Sequence, residues 1–402
     1  MKLLVIDTSY TFKAIKEKNL YEAIYSRDLN GFFAKVWSVH PFASITKLCN
    51  QKNDFGKLRT FKINDNHFFI EGMFGRFYNL RKFKIFNFIL SQIEIFFFLK
   101  KLIINKKIDY IKAHDPHYNS LIAYLLSRLT KTPFLVRVSG NFDKIYEDTK
   151  KPIVPKFFIF RFIEKFFEKF IFANANFVIA PNIDNLNYAF SYGLLKEKGA
   201  VVRYGSLIYK RHLLKPQERK EENFFKKELS LNDRYTYLIY VGRLERVKRV
   251  MDLVQIMKNI NKNDVKLLIV GDGSLKNELK KAISLNDLEK KIYLLGEKDQ
   301  FWLSRCLPNC SCFLATHTGR ALAEASFAGL PIVGYDIDWH SEIIENGDSG
   351  FLIKKDDHQC FSDSVLKILN DKNLSEKFSK NIREKAEDLL SPEKIHKIEI
   401  EC

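Results

Sequence analysis

Short apolar runs recur along this chain, and stretches with helical spacing separate them. In the first half, residues 2–6, 35–39, 109–113 and 133–138 read as buried strands, and 175–181 leads a helix end into another. In the second half the runs are 236–241, 265–270, 292–295, 312–315 and 332–335. Between them, residues 19–33, 119–129, 250–258, 275–284 and 319–327 place apolar side chains at helical intervals. The alternation predicts two successive α/β domains, each a doubly wound sheet of βαβ units. At 402 residues the chain also exceeds one ordinary core, which gives the same expectation of two domains. The expected division is 1–207, a charged linker with a lead-in helix over 208–235, and 236–402 with its terminal helices. Residues 201–207 form the expected last strand of the first domain.

Two stretches depart from that pattern. Residues 56–107 are the least regular and set many Phe among Lys and Arg. From 72 to 107 stand eight bases, Arg76, Arg81, Lys82, Lys84, Lys100, Lys101, Lys106 and Lys107, against one acid, Glu94. Residues 85–102 read as a core helix whose bases reach outward. For 74–84 that same reading and an anionic membrane surface both fit. The second stretch, 152–172, is amphipathic, with Arg161, Glu164, Lys165, Glu168 and Lys169 on one face and Phe elsewhere. That mixed-sign face predicts a surface helix that packs its Phe inward, in preference to a membrane anchor.

Composition adds charge to the picture. Hydrophobic content of 46% and charged content of 28% are globular values, but the net charge of +18 is not ordinary. It favours an anionic partner: nucleotide phosphates, an anionic lipid surface or nucleic acid. The bases are scattered and no nucleic-acid-binding motif stands among them, so nucleic acid is not expected. The six cysteines, Cys49, Cys306, Cys310, Cys312, Cys360 and Cys402, make no Cys-x2-Cys pair. No metal site is expected from them, and they fit a reducing compartment. The first ten residues are too short in apolar content for a secretion signal, and no run approaches a membrane span. The expectation is a cytoplasmic protein, soluble or peripheral on the inner face of the cell membrane.

Candidate chemistry gathers where strands meet helices. Arg243 and Lys248 flank a turn opened by Gly242, and two cations beside a helix start suit an anion. Gly271-Asp272-Gly273 is a second turn after a strand. Glu324 lies within 319–327; on spacing alone a solvated helix residue is the better reading, and a carboxylate holding sugar or ribose hydroxyls the sharper one. His114 and Asp115 end a strand and Arg137 sits inside the next, positions where open α/β sheets bind ligands.

Residues 324–333, EASFAGLPIV, and 342–350, EIIENGDSG, together resemble the signature of the family-four retaining glycosyltransferases of GT-B fold. The likeness extends to YVGRLERVKRVMDLV over 240–254 and to Gly271-Asp272-Gly273 after LLIV. It covers residues 240–351 well and the first half loosely. The resemblance implies a GT-B fold, two Rossmann-like domains facing each other across a cleft. It implies transfer of a sugar, with retention, from a nucleotide-diphosphate sugar to a glycan or lipid-linked acceptor in surface polysaccharide or glycolipid assembly. No cofactor or metal is expected, the nucleotide sugar being substrate. By the same resemblance, Arg243 and Lys248 hold the donor diphosphate and Glu324 the ribose. Gly242, Gly271, Gly273, Thr316, Gly319, Arg320, Ala321 and Glu342 line the donor, and His114 faces its sugar with Asp115 and Arg137 nearby.

Two departures stand out. The glycine pair usual after the first strand is missing from residues 7–18. Thr316 occupies the place of the first Glu in the family's Glu-x7-Glu pattern, which leaves His317, Asp336, Asp338 and His340 as candidates for the missing sugar contact. Thr316 also keeps open the alternative of a non-catalytic partner or regulator that binds nucleotide sugar.

Overall fold

The computed structural model describes the chain except residues 18, 44–53, 153–159 and 204–207. It divides into two compact units, 1–203 with 396–402 and 204–395. Part of the expected strand 201–207, the start of the expected helix 152–172, and Cys49 lie outside the described residues.

The first unit is built on β1 (Lys2–Ile6), β2 (Lys35–His40), β3 (Arg59–Lys62), β4 (His67–Glu71), β5 (Tyr110–His114), β6 (Phe134–Arg137), β7 (Phe177–Ala180) and β8 (Gly199–Val201). Their order across the sheet is β3-β4-β2-β1-β5-β6-β7-β8, parallel throughout except for β3 on β4. The side-chain period of two splits β1 between layers: Leu4 and Ile6 enter the larger core, Leu3 and Val5 the smaller one opposite. The helices are α1 (Phe12–Glu17), α2 (Glu22–Tyr25), α3 (Lys84–Lys106), α4 (Tyr118–Thr130), α5 (Phe142–Thr149), α6 (Arg161–Asn174) and α7 (Ile183–Ser191). The buried residues of α3, Asn87, Ser91, Ile95, Leu99 and Ile103, recur every fourth position and form one stripe.

Three expectations are corrected here. Residues 19–33 do not form one helix. Asn19, Leu29 and Asn30 take left-handed φ of 49°, 52° and 59°, which a continuous right-handed helix excludes. The irregular stretch 56–107 contains the β3–β4 pair, whose Phe-rich alternation is masked by charge. The third correction is α6, which is turned the other way round. Arg161, Glu164 and Glu168 are buried, whereas Phe162 and Phe166 are 69% and 70% exposed. The inward charges satisfy one another. Arg161 Nη1 donates to Glu164 Oε2 at 3.1 Å and to Glu168 Oε1 at 2.5 Å, and Nη2 donates to Glu168 Oε2 at 2.9 Å.

The second unit carries β9 (Thr236–Val241), β10 (Val265–Val270), β11 (Ile292–Gly296), β12 (Cys312–Ala315), β13 (Ile332–Tyr335) and β14 (Gly350–Ile353). They form one parallel sheet ordered β11-β10-β9-β12-β13-β14. Its helices are α8 (Pro216–Arg219), α9 (Phe224–Leu229), α10 (Asp252–Asn259), α11 (Lys276–Leu285), α12 (Gln300–Cys306), α13 (Arg320–Phe327), α14 (His340–Ile343), α15 (His358–Asn370), α16 (Lys372–Leu389) and α17 (Pro392–Glu401). Residues from His396 on count with the first unit, where 236–402 was expected to stay together. There Glu399 pairs with Lys112 of β5.

Residues 208–235 are not a spacer. Phe225 packs on Tyr237 with ring centroids 3.9 Å apart, and Phe224 packs near Trp302. Arg219 is fully buried, donating to the carbonyls of Leu214, Ser304 and Phe327 at 3.0–3.1 Å. The stretch reads as a linker because its charges are numerous, yet Phe224 and Phe225 are buried. No helix among the described residues is long and apolar enough to cross a membrane.

Strand order places a switch point in each sheet. In the first unit the chain runs from β1 toward β2 and from β5 toward β6, so the crevice lies beyond the carboxyl ends of β1 and β5. In the second unit the same argument puts it beyond β9 and β12.

Candidate functional site

The second unit's switch point receives Gly242 and Arg243 from the end of β9, and Thr316 and His317 from the end of β12. The glycines after β9 and β10 let the two loops touch. A Cβ on Gly271, whose φ is 143°, would stand 1.9 Å from Gly242 O, and one on Gly273 would stand 2.5 Å from Leu244 O. Leu244 N donates to Asp272 O at 3.0 Å and Leu275 N to Leu244 O at 2.9 Å. These glycines therefore seat the 242–244 loop. Gly271→Ala is expected to destabilise the second unit by about 2–4 kcal/mol, from strain and a backbone clash. Urea unfolding read on Trp302 and Trp339 measures it, and an unchanged midpoint would refute the packing role.

Arg243 is exposed and has no ion pair among the described residues. Six positions on, Arg249 is held by both Asp252 and Asp356. Lys248 is half-buried and has no carboxylate within ion-pair distance among the described residues; Nζ donates to Thr318 O at 2.6 Å and lies 3.3 Å from His317 Nδ1. Burial pushes the Lys248 ammonium below the usual lysine range, Arg243 pushes the same way, and Asp338 opposes them. Two cations that repel each other, one partly desolvated, form a site that an anion relieves.

Thr316 is fully buried and donates its hydroxyl to Lys248 O at 3.0 Å, so it tethers the lysine's backbone. Thr318 Oγ1 donates to Asp338 Oδ2 at 2.8 Å, and His317 Nε2 lies 4.0 Å from the same oxygen. Asp338 thus joins His317, Thr318 and Lys248 in one polar cluster, from a left-handed φ of 49°. Asp336 is exposed and outside that cluster's hydrogen bonds. His340 is buried with Nδ1 2.6 Å from Tyr335 O, and burial holds it neutral, its pKa pushed down to about 4. Glu342 is half-buried on α14.

Gly319 precedes α13 in an extended conformation, and a Cβ there would meet nothing within 4 Å. The start of α13, with half-buried Ala321, therefore borders open space. Glu324 is neither solvated nor alone. It is buried, and Arg320 Nε donates to its Oε1 at 2.9 Å. Burial raises its pKa, while Arg320 and a hydrogen bond from Gln300 oppose the rise. Gln300 in turn accepts from His212 Nε2 at 3.0 Å. Sequence reasoning missed Gln300 and His212, because nothing local ties residue 212 to 300 or 324.

In the first unit, Asp7 follows β1 and is buried. It accepts from Ser9 N and Oγ at 2.8 and 2.5 Å and pairs with Arg27, and His114 Nδ1 lies 3.4 Å away. Burial alone would raise the carboxyl; His114, Arg27 and Ser9 together hold it well below the usual range. Burial pushes His114 down to about 4 against the pull of Asp7, so the imidazole is neutral near pH 7. Asp115, at a left-handed φ of 66°, accepts from Ser139 N at 3.0 Å and Oγ at 2.5 Å, and burial raises its pKa. Arg137 is buried with Nη2 donating to Val202 O at 3.1 Å. Asp7 and Arg27 went unnoticed in the sequence. The visible signal was an acid directly after the buried run Leu3–Ile6 in a loop without glycine.

The one cluster of metal-ligand residue types among the described residues is His117, Glu164 and Glu168. The Arg161 guanidinium already bonds both carboxylates there, and His117 Nε2 lies 2.9 Å from Glu168 Oε1.

Residues 221–385 match the family model described as glycosyl transferases group 1. The N-acetyl-alpha-D-glucosaminyl L-malate synthase of Bacillus anthracis is 28% identical over 42% of this chain and 45% of its own length. The UDP-Gal:alpha-D-GlcNAc-diphosphoundecaprenol alpha-1,3-galactosyltransferase of Escherichia coli is 26% identical over 71% of this chain and 73% of its own length. The chain spans about half the length of several curated relatives it matches, 57% of one from Methanocaldococcus jannaschii at most among the first four. Among solved structures, sucrose-phosphate synthase from Thermosynechococcus elongatus superimposes with a TM-score of 0.75 at 15% identity, over 100% of this chain and 98% of that one.

Proposed function

We propose that this chain, which has the GT-B fold and matches the group 1 glycosyl transferase model over residues 221–385, is a retaining glycosyltransferase. It moves a sugar from a nucleotide-diphosphate sugar to a glycan or lipid-linked acceptor, in surface polysaccharide or glycolipid assembly at the inner face of the cell membrane. The observation that carries the reading is the pair Arg243 and Lys248, without ion-pair partners among the described residues, at the sheet's switch point. The Escherichia coli relative's name, with its UDP-linked donor and diphosphoundecaprenol-linked acceptor, supports the substrate class.

In this reading the donor diphosphate lies against Arg243 and Lys248, whose charges stabilise it as the bond to the anomeric carbon breaks. Glu324 accepts from the ribose hydroxyls, with Arg320 opposing the rise in pKa that burial imposes. The sugar lies beside Gly319, within reach of the Asp338 cluster, which supplies the polar contact that Thr316 does not. The leaving phosphate takes the acceptor's proton. In the first unit, His114 in its neutral form and Asp115 are assigned to hydroxyl contacts. The chain's own cations neutralise the leaving group, so the reading needs no cofactor.

Incubation with a panel of nucleotide sugars and bacterial lipid extract should give a product whose anomeric configuration matches the donor's by NMR. Nucleotide binding without turnover of any donor would leave a non-catalytic binder. Because Lys248 loses its proton below the ordinary lysine range, nucleoside diphosphate affinity is expected to fall early as pH rises from neutral. Lys248→Arg, which stays charged, should flatten that dependence. Titration calorimetry across pH reads it, and an equally steep profile in the arginine variant would remove Lys248 from the phosphate site.

A further inference from the structure

We propose that the outer face of α3, α4 and α6 in the first unit docks on a bilayer surface containing anionic lipid. On α3, Ile85, Ile89, Ile93 and Phe97 repeat every fourth residue and all are exposed, opposite the buried stripe. α4 packs between α3 and α6 and exposes Leu125 and Leu129. α6 adds Phe162 and Phe166, the aromatics that its sequence pattern would have buried. An apolar surface spread over three neighbouring helices exceeds what scattered exposed residues account for.

Charge selects the occupant. The exposed charges of this face include Lys84, Lys101, Arg128 and Lys169, all basic. The acids of the three helices do not offset them: Glu164 and Glu168 are buried, and Glu94 is paired with Arg76 at 2.9 Å. Apolar side chains rimmed by bases suit the headgroup and acyl boundary of an anionic bilayer. A second copy of the same face would meet like charge, and nucleic acid would gain nothing from the exposed isoleucines.

The orientation of α6 is built in. Turning Phe162 and Phe166 inward would carry Arg161 and its two glutamates out of their mutual bonds, so the polar interior holds the aromatics outward. This inference stands apart from the glycosyltransferase reading, since it uses neither the phosphate cluster nor the ribose carboxylate.

The test is co-sedimentation of the full chain with phosphatidylcholine vesicles, with and without phosphatidylglycerol, at low salt. The parent should sediment with the phosphatidylglycerol vesicles. Phe162→Ser/Phe166→Ser, Ile89→Ser/Ile93→Ser and Lys84→Glu/Lys101→Glu should each lower partitioning at least about tenfold. All six positions are exposed, so circular dichroism should be unchanged. The control pair Lys280→Glu/Leu285→Ser, exposed on the second unit, should leave binding intact. Binding that ignores the three face variants, or that the control reduces equally, overturns the proposal. A lipid-free dimer in sedimentation velocity that Phe162→Ser/Phe166→Ser dissociates would also overturn it, assigning the face to a second copy.

Discussion

Replacing Arg161 with alanine is expected to destabilise the first unit by about 3–5 kcal/mol, among the largest single-residue effects in this chain. The guanidinium bonds Glu164, Glu168 and Asp143, and lies 3.3 Å from Tyr188 Oη. Removing it leaves two buried carboxylates without their cation. The sign of the pH dependence follows. In the parent, burial would raise Glu168, but His117 and Arg161 hold it below the usual glutamate range. That stabilisation is present above the ordinary glutamate pKa and is lost as pH falls through the depressed value. In the alanine variant Glu168 regains stability by protonation, so the deficit against the parent should shrink between pH 8 and pH 5. Hydrogen exchange of peptides from β6, β7 and α7 measures the loss. Arg161→Met with Glu164→Gln and Glu168→Gln should recover much of it, because no charge remains buried. A deficit that is independent of pH and not recovered would mean that Arg161 acts through packing alone.

The second large effect concerns turnover. In the proposed phosphate role, Arg243→Ala and Lys248→Ala each remove a charge-assisted contact worth roughly 1.5–3 kcal/mol, so the double variant should lose roughly 10²–10⁴-fold in kcat/KM. Binding of a nucleoside diphosphate should weaken far more than binding of the free nucleoside. In the proposed reaction, charge on the leaving diphosphate grows in the transition state, so kcat should fall along with affinity. Glu324→Gln should weaken nucleoside and nucleotide alike, since both carry the ribose. Calorimetry on the three variants with both ligands decides the assignment. If Glu324→Gln binds nucleoside as the parent does while activity collapses, the carboxylate contacts the sugar instead.

The architecture was legible because its signal is local. Runs such as LLIV before Gly271 and CFLA before Thr316 announce parallel strands by themselves, and the helices between them supply the crossovers. Arg243, Lys248 and Glu324 were singled out through motif order, the first two after β9 and the third within α13, and their roles remain those proposed above. What stayed hidden depends on partners far along the chain. Glu324 read as solvated because Arg320 was visible four residues away but Gln300 and its His212 contact were not. The rotation of α6 was misjudged because hydrophobic periodicity assigns charges to solvent, and it carries no information on whether Arg161 can meet Glu168 and His117. Residues 208–235 misled for a related reason: composition recorded their charge, while Arg219 had found three carbonyls inside.

The return of residues 396–402 to the first unit orders events during synthesis. Lys112 lies in β5, early in translation, but its carboxylate partner is Glu399. Roughly 190 residues of second unit are made between Arg203 and His396, which at ribosomal speed is roughly 10–40 s. Through that interval Lys112 is without the counter-charge of Glu399. The first unit therefore gains its β5 ion pair only after the second unit, 204–395, has been made. A ribosome-bound chain stalled before residue 396 should open at β5 more readily than the released protein.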